Sequence, residues 1–325
     1  MESSMQQVVP RPRLTFATLV HIAKQTFMEW NADDAPRHGA ALAFYSMLSI
    51  GPLLLIVISV AGLAFGHDKA SGFIIAEMRS VIGPEGAGAI EDILVHSQSP
   101  AKSLVATVIG VVTLIVSASG FFGQLQYALN LMWNVPKEKS GFTDMAMKRL
   151  LSFGLIGGIC LLLLFSLVVS AGLTAITDAF SGYLPDVILP TANMVVSFVI
   201  TTLLFAMVFK ILPDVDIKWR DVWIGAIITA LLFAVGKYAI GLYLGRSAFS
   251  STYGAAGSLI VLLVWIYYSA QIFFFGAEFT QVYASTMGEA ISGRRHGRKS
   301  PGKQPRASAE LRQFIEAQTV ARVRR

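Results

Sequence analysis

The sequence predicts an all-α polytopic membrane protein, a six-transmembrane-helix bundle with an amphipathic N-terminal helix and short extracytoplasmic helices. Three observations lead there. Apolar residues make up 54% of 325 positions and charged residues only 14%, with a mean hydropathy of +0.61, well outside the range of soluble domains. Apolar runs long enough to cross a bilayer, which takes about 20 residues, recur along the chain. The last of them, from Ala255 to Ala284, carries Tyr267, Gln271 and Glu278 on one narrow arc of a helix. Lipid offers such groups no partner, so that arc must look into a bundle.

In chain order, residues 1–13 are rich in proline and arginine. From Leu14 to Asn31, Phe16, Leu19, Val20, Ala23, Phe27 and Trp30 follow helical spacing, while Thr18, Gln25 and Glu29 face away. This reads as a helix lying on the inner membrane surface. Asn31 to Pro36 is a helix end, a turn and a new start. The first span is expected from Gly39 to Phe65, kinked at Pro52, with Gly39, Ala43 and Ser46 as a small-residue packing face. Residues 67–100 are too polar to span. Phe73 to Ile82 and Ala87 to Val95 read as short amphipathic helices broken at Gly83 and Pro84.

The second span, Leu104 to Tyr127, carries another polar stripe of Thr113, Ser117, Gly120, Gln124 and Tyr127. The third is expected over Leu150 to Ala175, the fourth over Thr191 to Leu212 and the fifth over Val222 to Leu244, which holds Lys237. Pro213 to Asp221 forms a tight inner turn. The organisation is a cytoplasmic tail with the amphipathic helix (1–38), a membrane domain (39–284) and a basic cytoplasmic tail (285–325). Lys24, Arg37, Lys137, Lys139, Lys148, Arg149, Lys210, Lys218, Arg220 and the tail cations fall at one membrane face. Only Lys69, Arg79, Lys102 and Arg246 fall at the other. The positive-inside rule then puts both termini in the cytoplasm.

Catalytic chemistry finds little support. The five histidines, His21, His38, His67, His96 and His296, are dispersed, and Cys160 is the single cysteine. No metal-ligand spacing and no phosphate-binding loop is present, so no enzyme activity, cofactor or metal is expected. The net charge of +6 reports loop orientation rather than nucleic-acid binding. The candidate solute-binding residues are Ser117, Gln124, Tyr127, Tyr267, Gln271 and Glu278, with the two stripes expected to meet across the bundle interior. Glu278 is read either as one half of an ion pair with Lys210, Arg149 or Arg37, or as a proton- or substrate-linked carboxylate. Arg294, Arg295, Arg298 and Lys299 are an orientation signal and candidate contacts for lipid headgroups.

Three stretches also carry a resemblance. Ala40 to Pro52 (AALAFYSMLSIGP), Pro213 to Ala226 (PDVDIKWRDVWIGA), and Tyr253 to Ala270 with Gly276-Ala-Glu278 resemble the YihY/BrkB family of bacterial inner-membrane proteins. The resemblance covers roughly residues 20–285. It implies a six-helix fold in a bacterial inner membrane and transport of a small or lipid-like solute, and it supplies no catalytic residues to carry over. A ribonuclease label once attached to members is opposed here by the missing metal ligands. The rival expectation is a non-transporting scaffold that binds lipids or protein partners.

Overall fold

Asp34 sits in the left-handed region (φ 52°) between the first two helices, α1 (Phe16–Ala32) and α2 (Ala35–Phe65). Asp tolerates that conformation better than most residues. Pro36 in the first turn of α2 suits a helix start, because its missing N–H needs no partner there. The Asp34 carbonyl accepts from the backbone of Arg37 and His38, and its carboxylate accepts from Arg37 Nη1 at 3.1 Å.

These coordinates are a computed structural model. It describes residues 16–66, much of 69–92, 104–135, 188–246, 255–286 and two short tail strands, with isolated positions between 154 and 169. The expected third span, the loop at 136–139, the outer loop at 176–187, the cluster Arg294 to Lys299 and the segment 308–323 lie outside the described residues, apart from those isolated positions.

Four further helices follow: α3 (Leu104–Met132), α4 (Ile188–Ile211), α5 (Trp219–Arg246) and α6 (Ala255–Thr286). Each matches an expected span to within about five residues at either end. The α2 helix runs unbroken through Pro52 for 31 residues, about 46 Å at 1.5 Å per residue. Four of the described helices contain stretches long and apolar enough to cross a membrane: Val112–Met132, Thr191–Ile211, Trp219–Tyr243 and Leu259–Thr286. A two-residue antiparallel pairing, Ser292–Gly293 (β1) with Ser300–Pro301 (β2), is the only strand among the described residues.

The bundle is built around α6, which packs along α5, α2 and α1, while α4 packs on α5 and α3 on α2. Close approach of α5 and α6 comes from a reciprocal pair. A Cβ on Gly225 would run into the Thr280 side chain, and one on Gly276 into that of Thr229. Each threonine hydroxyl donates to the glycine carbonyl four residues earlier in its own helix, both at 2.7 Å. The hydroxyls are thereby satisfied, so no polar group is stranded at the crossing.

The largest apolar cluster joins Leu129 and Met132 of α3, Phe205 and Phe209 of α4, Val222 and Ala226 of α5 and Phe274 of α6. A second cluster lies at the far end. There Leu54 and Ile58 of α2, Ile240 of α5 and Leu262 of α6 meet Ile90, Ile74 and Met78 from the stretch after α2. Helical backbone is described at 71–76 and 90–92, overlapping the two segments expected as short helices, and Arg79 pairs with Glu91 at 4.0 Å. This stretch caps that end of the bundle.

The turn after α4 is held from α3. Asn130 Nδ2 donates to Asp214 Oδ2 at 2.9 Å while its Oδ1 accepts from the Asp214 backbone N–H at 2.8 Å. Gln126 Nε2 donates to the Leu212 carbonyl and to Asp214 Oδ1, both at 3.3 Å. Lys210 Nζ donates to the Ile217 carbonyl at 2.5 Å and lies 5.8 Å from the Trp219 ring centroid. The PDVDI stretch is thus a structural clamp.

Candidate functional site

The first helix presents the opposite face to the one its sequence suggests. Ile22 and Thr26 are fully buried and Gln25 nearly so, whereas Phe16, Leu19, Val20 and Phe27 are exposed. Ile22 packs against Phe279, Val282 and Tyr283 of α6 and Ile224 and Ile228 of α5. The polar row expected to face water therefore lies against the bundle, and the apolar stripe faces outward. A polar face meets protein and an apolar face meets lipid because only protein can satisfy the polar groups.

That row ends at Glu278. Residues 22, 25, 26, 29 and 33 share one side of a helix at about 100° per residue. Gln25 Nε2 donates to Glu29 Oε1 at 3.1 Å. Beyond them, the side chains of Asp33 and Glu278 are hydrogen-bonded to each other. Glu278 is 1% exposed, and its Oε1 has no partner among the described residues. The expected ion pair is not found there. Lys210 is bonded to Ile217, Arg37 to Asp34, and Arg149 lies outside the described residues. Burial lifts the Asp33 carboxyl from 3.8 to about 6; Glu29 and Asp34 push it the same way, and the Glu278 hydrogen bond pulls it down.

The two polar stripes do not face each other. The α2 helix packs along both α3 and α6, which touch each other only sparsely. Gln124 Nε2 donates to His38 Nδ1 at 2.9 Å, leaving the ring proton on Nε2. Tyr127 is partly exposed, with its ring edge-on to His38 at 5.5 Å. The Gln271 amide lies where a Cβ on Gly39 would stand. Thus Gln124 and Gln271 reach neighbouring residues of α2 instead of one another. Ser117 is buried and donates within its own helix, to the Thr113 carbonyl at 2.7 Å. Tyr267 is exposed and takes no part.

Gln271 also borders an open groove of about 360 Å³. Phe27 and Trp30 of α1, Val235 and Gly236 of α5, and Tyr268, Ile272 and Phe275 of α6 line it with Leu232. Among the described residues neither Gln271 Nε2 nor its Oε1 has a partner, and neither does Trp30 Nε1. Among the described residues no three His, Cys, Asp or Glu side chains gather as metal ligands.

Sequence reasoning missed Asp33, Glu29, His38, Trp30 and Tyr268. The signal for the first two was the spacing of Gln25, Glu29 and Asp33 opposite an apolar stripe. That spacing fits a helix buried on its polar side as well as one resting on a membrane.

These features define a helical membrane protein with a carboxyl pair, buried at Glu278 and half-buried at Asp33, where α1 meets α6. The profile of the family described as virulence factor BrkB matches residues 26–301, and the chain belongs to that family. Proteins called UPF0761 membrane proteins are similar to it. One from Teredinibacter turnerae is 22% identical over 297 residues, covering 87% of this chain and 65% of its own. One from Alcanivorax borkumensis is 28% identical over 255 residues, covering 77% of this chain and 57% of its own. One from Aggregatibacter aphrophilus is 23% identical over 267 residues, covering 82% and 92%. The chain thus spans less than two thirds of the length of the first two relatives. No solved structure matches.

Proposed function

We propose that this protein moves a lipid-like, mainly apolar solute across a bacterial inner membrane, as a six-span bundle with both termini in the cytoplasm and no catalytic step. The observation that carries this reading is the groove between α1, α5 and α6. Its walls are apolar, and its volume of about 360 Å³ falls within the range of small-molecule sites. Such walls suit a molecule that is largely hydrocarbon. A small, strongly polar solute would find few partners there. Membrane lipids are the natural partners of such a surface.

The test is lipid translocation in proteoliposomes. Val235 borders the groove and is 64% exposed, so Val235→Trp fills it without disturbing the packed side of α5. Translocation above protein-free vesicles that this variant abolishes is the expected result. No flux from the well-folded wild type, together with lipid co-purification untouched by the substitution, would instead favour a scaffold.

A further inference from the structure

We propose that Asp33 and Glu278 form a proton-binding site that closes the N-terminal helix onto the bundle: α1 stays docked while the two carboxyls share a proton, and parts from α6 when both ionise.

The geometry is a seam with carboxyls on both sides. Glu278 is the single charged residue of α6, is 1% exposed and points at α1. Asp33 closes the end of α1 against it, and Glu29 stands one turn earlier. No cation of the described residues pairs with Glu278. Of the charged and titratable groups around it, Asp34 and Arg37 pair with each other at the α1–α2 turn. His38 is engaged by Gln124, and on α5 Arg220 lies 3.7 Å from Asp221. On α1, Lys24 is exposed, while His21 sits a turn beyond the acidic residues. The α3 helix has no charged residue, and Lys210 of α4 is tied to Ile217.

Two carboxyls in hydrogen-bond contact cannot both be ionised at low cost; one must carry a proton. When α1 moves away, each carboxyl regains water and ionises at ordinary pH. Docking therefore takes up a proton and parting releases it, and no other reactant is needed. The sign follows for Asp33 as well. Its carboxyl is raised from 3.8 to about 6 in the docked form, so its contribution is full below 3.8 and is lost as the pH rises through about 6. Asp33 therefore makes the seam tighter in acid.

The seam has a mechanical consequence, which alone rests on the transport reading. Phe27 and Trp30 form the α1 wall of the groove, so a helix that leaves α6 opens that wall.

The experiment reads the seam and not flux, so it stands or falls apart from the transport reading. In a Cys160→Ser background, nitroxides at Lys24→Cys on α1 and Ile227→Cys on α5, both exposed positions, report the α1–α5 distance by electron double resonance in nanodiscs. At about pH 5 a single narrow distance is expected, and at about pH 8.5 a second, longer population. Glu278→Gln and Asp33→Asn should each keep the short distance dominant at both pH values. If Glu278→Gln fails to fold, Asp33→Asn at the half-buried side of the pair decides. An unchanged wild-type distribution between the two pH values overturns the proposal. So does a pH response that survives in the folded variants.

Discussion

Asn130 shows how much one side chain can hold. It gives and takes hydrogen bonds with Asp214, side chain to side chain and backbone to side chain, and so fixes the α4–α5 turn to the end of α3. Asn130→Ala removes two of the hydrogen bonds made by Asp214 and should lower stability by about 1–3 kcal/mol. Asn130→Asp should be worse, because it faces one carboxylate with another and loses the donor. Thermal unfolding in detergent at neutral pH orders the three proteins; equal midpoints would mean the clamp carries no stability. At this scale the sequence was informative about which residues are unusual and silent about their partners. Glu278 stands out in any hydropathy reading, yet its neighbour is an acid in the turn just before α2, outside every expected span. Nothing in linear spacing distinguishes that acid from the turn residues around it.

Helix boundaries were legible because each apolar run is long and bounded by polar turns. Helix neighbours were not, because a span can bury any of several faces. The polar stripes on α3 and α6 were expected to meet, and α2 lies between them. The glycines that set the α5–α6 crossing did not stand out in the sequence either. Gly225 and Gly276 sit on α5 and α6 four residues before Thr229 and Thr280, and each glycine receives the partner helix's threonine. Gly276→Ala forces a methyl group into Thr229 in a packed crossing, and overpacking of this kind costs about 1–3 kcal/mol. Thr229→Ala in the same chain should recover part of the loss, since it removes the obstructing atoms. Denaturant unfolding of the single and double variants checks this. An additive double variant would mean the two positions do not touch. The reversed face of α1 belongs to the same lesson. Amphipathic periodicity reports that a helix has two faces, but it does not report which solvent each one meets.

For the whole molecule, orientation can be argued from both charge and geometry. Lys24, Arg37, Lys210, Lys218 and Arg220 gather where α1 and α2 join, where α4 turns into α5 and where α6 ends. Arg79 lies with the cap at the opposite end, beside Glu91. The α3 helix ends beside Asp214, just past the end of α4, so α3 and α4 finish at the same end. A 24-residue α4 is about 36 Å long, which places its start at the opposite end. The proposed six-span arrangement then asks the chain between 136 and 187 to cross the bilayer once, through its apolar run 150–175. Reporter fusions after Thr143, Asp216 and Ser300 should accordingly report cytoplasm, and fusions after Glu85 and Ser181 the exterior. The fusion at Ser181 is the discriminating one. A cytoplasmic signal there would mean that 150–175 does not cross, and α4 could not then begin where its clamp to α3 requires.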